Sequence, residues 1–371
     1  MEWIQAHWTP GRTTVAPARA LVAGCGTGAE AFAFSRRFPH AEIVAVDFSR
    51  RTIERAREYQ QRARHRRNVR FVVADLSAPG LERLIGGNFD LISCYGVLSY
   101  VPKAGRAFEN LSRCLAIDGA LGIGVNGAGH ASVGMRAALP GFGYDVSRFA
   151  DEPRVWQVLS LFDALLGHTQ LAERVAARSA DVVASDIFGA LIQDLPLSGW
   201  VRRARSAGLH FQNSFSSHWA LRLTVEQGLC ELLMPRSRAR VSALLETLRP
   251  APFHMLLFTR QPVVDPPWRR PKAVEDWRPL LTGLFPLKRR PPLSGALRTV
   301  RLDSSAINTR IEWPMTQWQR ALLCSADGRR SVRRILGAAS AEVPPRDVAE
   351  FLYVLHQLVV IAMLPPRTPD R

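Results

Sequence analysis

The chain has 371 residues, of which 47% are hydrophobic, and this is enough to bury one large core and a second, smaller one. No apolar run approaches the roughly 20 residues that a membrane span needs, and the first residues lack the pattern of a secretion signal, so we expect a cytoplasmic protein. The formal charge of +17 is carried by arginine, since lysine occurs only at Lys103, Lys272 and Lys288. GC-rich coding produces the same bias, so a nucleic-acid partner stays open but is not favoured.

Short apolar runs alternate with amphipathic helical stretches between residues 20 and 126. This alternation is typical of parallel strands joined by crossover helices. It predicts five buried strands, over 20–23, 43–46, 69–73, 89–93 and 120–125. Helices are predicted between them over 29–38, 50–64 and 104–115.

Helical patterns replace the strand rhythm from residue 127 to residue 195, and we interpret this segment as an inserted helical cap. Later segments predict a helix over 196–208, a strand over 209–214, a helix over 224–248 and a last strand over 253–259. The predicted fold of residues 1–260 is therefore α/β, with a doubly wound, mostly parallel, seven-stranded Rossmann-like sheet.

Residues 261–298 are dense in proline and arginine, which predicts a linker or a strap on the surface. Alternating segments follow over 296–313, and helical patterns over 316–324 and 348–358. Residues 299–371 are therefore predicted to form a small helical or winged-helix-like module.

The strongest functional signal is a glycine-rich turn between the first strand and the first helix, Gly24-Cys25-Gly26-Thr27-Gly28. Glycine allows a sharp turn and brings bare backbone close to a ligand. Together with the next residue, the turn also fits the looser dinucleotide pattern, so a nicotinamide enzyme remains an alternative.

Two acids follow the next two predicted strands. Asp47 ends the second strand, where a carboxylate can accept hydrogen bonds from both ribose hydroxyls. Asp75 ends the third strand, where its carboxylate would lie beside the adenine amino group. A helix-capping role is the alternative for each, but acids after both strands favour an adenosine lying across the carboxyl edge of the sheet.

Residues 20–126 resemble the class I S-adenosylmethionine-dependent methyltransferases. Residues 22–28 match the first motif of that family, the two acids match its ribose and adenine contacts, and residues 94–98 match the segment beside the methionine portion. The resemblance implies S-adenosylmethionine as cofactor, held by Gly24, Cys25, Gly26, Thr27, Gly28, Asp47, Phe48, Asp75, Leu76, Cys94 and Tyr95. Residues 185–209 and the tail near 322–330 also resemble a bacterial subgroup with a helical cap and a C-terminal winged-helix-like module.

Two positions depart from the family pattern. Val22 stands where many members have an acid that helps to bind the methionine ammonium group, so that contact is unassigned. Ser99 and Tyr100 stand where histidines often follow the fourth strand, which removes one candidate base.

Methyl transfer from a sulfonium is an in-line displacement, so the enzyme mainly aligns the reactants and excludes water. His130 and Tyr100 are the candidate catalytic residues, with simple exposure and packing as their alternative roles. The cysteines show no metal-ligand spacing, so we predict no metal.

An enclosed pocket beneath a cap suits a small-molecule or peptide acceptor. Two further hypotheses stay open. One is an RNA- or protein-directed methyltransferase that docks through the C-terminal module. The other is a non-catalytic S-adenosylmethionine-binding regulatory protein.

Overall fold

The computed structural model describes residues 16–62, 68–130, 133, 139–142, 160, 195–214, 238–248, 250–251, 253–262, 267–282, 285, 287, 291, 293–304, 309–339, 341–357 and 360–366. Nearly all of the predicted cap over 127–195 lies outside these residues, as does the first part of the helix predicted over 224–248. No helix among the described residues is both long and apolar enough to cross a lipid bilayer.

The first seven strands form one sheet. They are β1 Arg19–Ala23, β2 Glu42–Asp47, β3 Val69–Val73, β4 Phe89–Tyr95, β5 Leu115–Asn126, β6 His210–Ser214 and β7 Phe253–Thr259. The helices described in the same part of the chain are α1 Ala29–Arg37, α2 Arg50–Arg62, α3 Leu81–Ile85, α4 Ala104–Cys114, α5 Leu197–Ser206 and α6 Arg238–Leu248.

The sheet has the order β3-β2-β1-β4-β5-β7-β6. Strands β1 to β5 pair in parallel, and β7 is antiparallel to both of its neighbours. This confirms the predicted seven-stranded, mostly parallel Rossmann-like sheet. The direction of winding reverses between β1 and β4, and such a switch point is where open α/β sheets bind their ligands.

Alternate residues of the central strands face opposite sides of the sheet, each covered by helices. Leu21 of β1 lies in a core that contains side chains of α3, α4 and α5, whereas Val22 packs with α1 and α2. Phe108 of α4 contacts both Trp200 of α5 and Phe258 of β7, with ring centroids 5.9 and 5.7 Å apart. Because both faces are buried, the central strands are mostly apolar, which is the pattern that the sequence shows.

The C-terminal part contains strands, helices and a core of its own. After a 3₁₀ turn at Pro267–Arg269 come α7 Pro271–Val274, β8 Arg278–Leu281, β9 Leu297–Ser304, β10 Thr309–Thr316, α8 Gln317–Cys324, α9 Val332–Ala338, α10 Pro345–Gln357 and β11 Ile361–Leu364. Strand β9 pairs antiparallel with β10, and β8 pairs antiparallel with β11.

The linker predicted over 261–298 needs correction. Trp268, Val274, Trp277 and Phe285 are buried in the C-terminal core together with residues of α8, α9 and α10. The many prolines and arginines predict a surface segment. The large aromatic rings among them bury much surface even though no regular hydrophobic pattern surrounds them. Residues 267–282 and Phe285 thus contribute to the core of the C-terminal part.

Candidate cofactor and active site

The glycine turn is tightly packed on one side and open on the other. Gly24 has φ of 73°, and its amide donates to the Val46 carbonyl oxygen at 2.7 Å. A Cβ at Gly24 would lie 2.1 Å from Cγ2 of Val97, in the loop after β4, whereas a Cβ at Gly26 would meet nothing within 4 Å. The turn therefore requires glycine at the first position and leaves open space above Gly26.

Asp47 connects the end of β2 to this turn. Its Oδ2 accepts a hydrogen bond from the Gly26 amide and its Oδ1 one from the Ser49 amide, both at 2.9 Å. Only 8% of Asp47 is exposed. Each carboxylate oxygen has a second lone pair, so the same side chain can accept ribose hydroxyls while it holds the turn.

Asp75 lies beyond the end of β3, the strand that pairs with the strand of Asp47. Val73 is the register partner of Asp47, so Asp75 follows that partner by two residues. Asp75 is exposed, and its Oδ1 accepts hydrogen bonds from the amide and hydroxyl of Ser77 at 2.8 and 2.9 Å. Asp75 therefore holds a local turn with Ser77 and caps no helix, since the next helix begins at Leu81, and its carboxylate stays accessible to solvent.

The neighbours of the two acids differ in exposure. Phe48 is 80% exposed and follows Asp47 directly, so a flat apolar side chain is available next to this acid. Leu76 is only 5% exposed and packs in the core with the strands. A contact of Leu76 with adenine stays a prediction.

The two predicted methionine-side residues differ in burial, since Tyr95 is half-buried. Cys94 is fully buried, and the Tyr95 ring packs so closely on β5 that a Cβ at Gly124 would lie 2.5 Å from its Cδ1. Burial, followed by the charge of Asp47, raises the pKa of the Cys25 thiol to about 12, and burial also raises the pKa of Cys94. Both cysteines are therefore protonated at neutral pH and are not nucleophiles.

Tyr100 and Asn126 meet at the carboxyl end of β5. The Asn126 side-chain amide donates to the Tyr100 hydroxyl oxygen at 3.3 Å, and its backbone amide donates to the Ser99 hydroxyl at 2.8 Å. His130 is half-buried in the following turn, where its amide donates to the Gly127 carbonyl oxygen at 2.9 Å. The hydrogen bonds thus join Tyr100 to Asn126 and place His130 in a turn of its own.

Sequence reasoning missed one polar pair near the turn. The Ser93 hydroxyl donates to Glu30 Oε1 at 2.6 Å, across the gap between β4 and the start of α1. Burial raises the pKa of Glu30, and the bond from Ser93 opposes that rise. The available signal was the position of this acid, two residues after the last glycine of the turn.

A family model described as "Methyltransferase domain" matches residues 21–121, the part of the chain that holds the turn and both strand-end acids. These residues form a class I methyltransferase domain. Its cofactor is S-adenosylmethionine.

Two curated relatives match about a third of the chain. A malonyl-[acyl-carrier protein] O-methyltransferase of Geobacter sulfurreducens is 35% identical over 115 residues, which are 31% of this chain and 41% of the relative. One of Legionella pneumophila is 32% identical over 107 residues, 29% of this chain and 36% of the relative. The chain thus spans less than half the length of these relatives.

A solved structure matches nearly the whole chain in fold. PKMT2 from Rickettsia typhi superposes on 94% of this chain and 71% of its own, with a TM-score of 0.62 and 14% identity. Its complex with AdoHcy gives a TM-score of 0.59 at the same identity and the same coverage of both chains. At this identity the similarity shows a shared fold.

Proposed function

We propose that the whole chain is an S-adenosylmethionine-dependent methyltransferase that moves a methyl group to a small-molecule or peptide acceptor. The observation that carries this proposal is the hydrogen bond from the Gly26 amide to Asp47, because it holds the turn and the ribose acid together. Both lie at the carboxyl edge of the sheet, where open α/β folds bind nucleotides.

The residues at this edge fit the cofactor. The open backbone at Gly26 would accept its central part, Asp47 the ribose, and Phe48 with Asp75 the adenine. When bound, S-adenosylmethionine supplies a methyl group on a positively charged sulfur. The protein's own contribution is to hold the acceptor in line and to keep water out.

Tyr100 and Asn126 are proposed to position the acceptor. Since the Asn126 amide donates to the Tyr100 hydroxyl oxygen, the phenol is held at the end of β5, beside the segment that follows β4. His130, in the next turn, is proposed as the base for a hydroxyl or protonated amine acceptor, a role that contributes roughly 10²–10⁴-fold in rate.

The class of acceptor is supported by the relatives. The two curated relatives are named as O-methyltransferases of malonyl-[acyl-carrier protein]. A small acceptor also agrees with the cap that the sequence predicts over 127–195.

The C-terminal part is proposed to be a winged-helix-like module that helps to bind the acceptor. Three helices, α8 to α10, follow the β9–β10 hairpin, and β11 then pairs with β8. This arrangement of helices flanked by short antiparallel pairs supports the proposal.

A methyl-transfer screen tests the proposed function. Full-length protein is incubated with labelled S-adenosylmethionine and with extract of the source cells, separated into small-molecule, peptide and RNA fractions. We expect label in the small-molecule or peptide fraction with the wild-type protein and much less with Tyr100→Phe, while Glu58→Gln, an exposed change on α2, serves as a control. Label confined to RNA, or no label in any fraction, contradicts the proposal.

A further inference from the structure

We infer that Glu30 supplies the carboxylate that binds the ammonium group of the cofactor's methionine portion, in the role that many class I members give to an acid at the position of Val22. The inference rests on the proposed function, because it concerns the same cofactor. It assigns a contact that the family's first motif leaves open in this chain.

The position of Glu30 in the fold supports this assignment. Glu30 lies in the first turn of α1, and its bond from Ser93 crosses from α1 to β4. Ser93 is the register partner of Val22 on β1, so their side chains lie on the same face of the sheet. The Glu30 carboxylate therefore reaches the β1–β4 switch point from the helix, while a strand-borne acid would reach it from β1.

The surroundings of Glu30 place its charge beside the glycine turn. After burial, the negative charge of Glu30 contributes to the raised pKa of Cys94, and it is also among the causes of the raised pKa of Cys25. One thiol is in the turn and the other is near the end of β4. The Glu30 carboxylate is therefore close enough to both segments to act on their thiols electrostatically.

The buried Glu30 carboxylate would be stabilised in its charged form by a nearby cation. Among the described residues, no arginine or lysine forms an ion pair with Glu30, and the Ser93 hydroxyl is its hydrogen-bond donor. A desolvated carboxylate is costly: burial raises the pKa of Glu30, while the bond from Ser93 and the positive charge of the amino terminus lower it. An ammonium group brought by the ligand would offset this cost, because it pairs with the ionised form.

A purely structural role is the competing explanation: Glu30 would only tie α1 to β4. The two roles differ in which ligand they affect. A structural role predicts equal losses for every adenosine ligand, whereas ammonium binding predicts a loss only for ligands that carry the amino acid portion.

The experiment compares two ligands by calorimetry on the full chain. S-adenosylhomocysteine carries the amino acid portion, and 5′-methylthioadenosine has the same adenosine and thioether without it. We expect Glu30→Gln to weaken S-adenosylhomocysteine roughly 10- to 100-fold and 5′-methylthioadenosine less than about 2-fold. Glu58→Gln should leave both affinities unchanged. Equal losses for the two ligands, or no loss for either, overturn the inference.

A measurement on the wild-type protein covers the case in which Glu30→Gln does not fold. Affinity for S-adenosylhomocysteine should fall as the pH is lowered through the raised pKa of Glu30, and affinity for 5′-methylthioadenosine should not. Asp47 serves both ligands, and the Cys25 and Cys94 thiols titrate far above this range. Parallel pH profiles overturn the inference. If the wild-type protein binds neither ligand at any pH, the cofactor assignment itself fails, and this outcome is distinct from a loss confined to the variant.

Discussion

Asp47 accepts a 2.9 Å hydrogen bond from the backbone amide of Gly26, so the end of β2 and the turn after β1 are held together. The turn is also held from β2 by the Val46 carbonyl oxygen, and it packs against Val97 after β4. Three strands thus fix the backbone that would face the cofactor. Changes to the turn should therefore affect stability and binding together.

The substitution Gly24→Ala should damage the turn. The φ of 73° disfavours any side chain, and the new Cβ would lie 2.1 Å from Val97 Cγ2. We expect the free energy of unfolding to fall by about 1–3 kcal/mol and the affinity for S-adenosylhomocysteine to fall with it. Urea denaturation measures the first effect and calorimetry the second.

Gly105→Ala is the matched control for that change. Gly105 lies in α4, and its Cβ would meet nothing within 4 Å. Its replacement should be neutral or stabilise the protein by about 0.4–1 kcal/mol. If the two alanine variants lose stability equally, the packing explanation of the turn is wrong.

Glu246 should matter for stability although it lies far from the glycine turn in sequence. Its Oε2 accepts a hydrogen bond from the Leu197 amide at 2.8 Å, and its Oε1 lies 2.7 Å from Nε2 of the buried His254. Glu246→Ala would remove both interactions and should cost about 1–3 kcal/mol in the free energy of unfolding. Arg301→Ala, which breaks an exposed pair with Asp303, should cost less than about 1 kcal/mol. Similar losses in the two variants would mean that the buried bonds of Glu246, which join α6 to the start of α5, do not contribute more than an exposed ion pair.

The buried thiols should react slowly. Burial, with the charge of Asp47 second, raises the pKa of Cys25 to about 12, and burial raises the pKa of Cys114 to about 11. Because the thiolate is the reactive form, iodoacetamide at pH 8 should modify both residues far more slowly in the folded protein than in urea. Peptide mass spectrometry measures the rates. Rapid labelling of Cys25 in the folded protein would show that the turn opens or that the thiol is not desolvated.

Glu30 should also shape the pH dependence of stability in the cofactor-free protein. Burial raises its pKa above the ordinary value of 4.5, so the folded state holds this proton more tightly than the unfolded chain does. The stability that the protonated Glu30 adds to the folded state is fully present below the pKa of the unfolded chain. It is lost as the pH rises through the pKa of the folded state. Glu30→Gln should therefore flatten the stability profile between these two values, and Glu58→Gln should not. Identical profiles for wild type and Glu30→Gln would mean that the carboxylate is not desolvated.

Much of the sheet could be predicted from the sequence because its central strands are buried on both faces. The strand predicted over 253–259, the last one of this sheet in chain order, is observed as Phe253–Thr259. Helix α3 was missed because its five residues span little more than one turn, too few to show a period. The predicted cap, with its acceptor-facing residues, lies largely outside the described part of the chain.

The candidate site residues could be proposed from the sequence only where the local pattern indicates them. The glycines and the acids at the ends of β2 and β3 follow directly from the strand pattern. Glu30 was missed because its partner Ser93 is 63 residues away, and their contact exists only because β1 pairs with β4. Trp268 and Trp277 were missed for a related reason, since only the folded C-terminal part brings them into one core.

The most direct test of the central claim is calorimetry with the Asp47→Ala variant. We expect the wild-type protein to bind S-adenosylhomocysteine and not NAD. We expect Asp47→Ala to lose S-adenosylhomocysteine affinity by roughly 100-fold or more, because the change removes both the ribose acceptor and the support of the Gly26 amide. An unchanged affinity in Asp47→Ala, with the fold intact, would contradict the account.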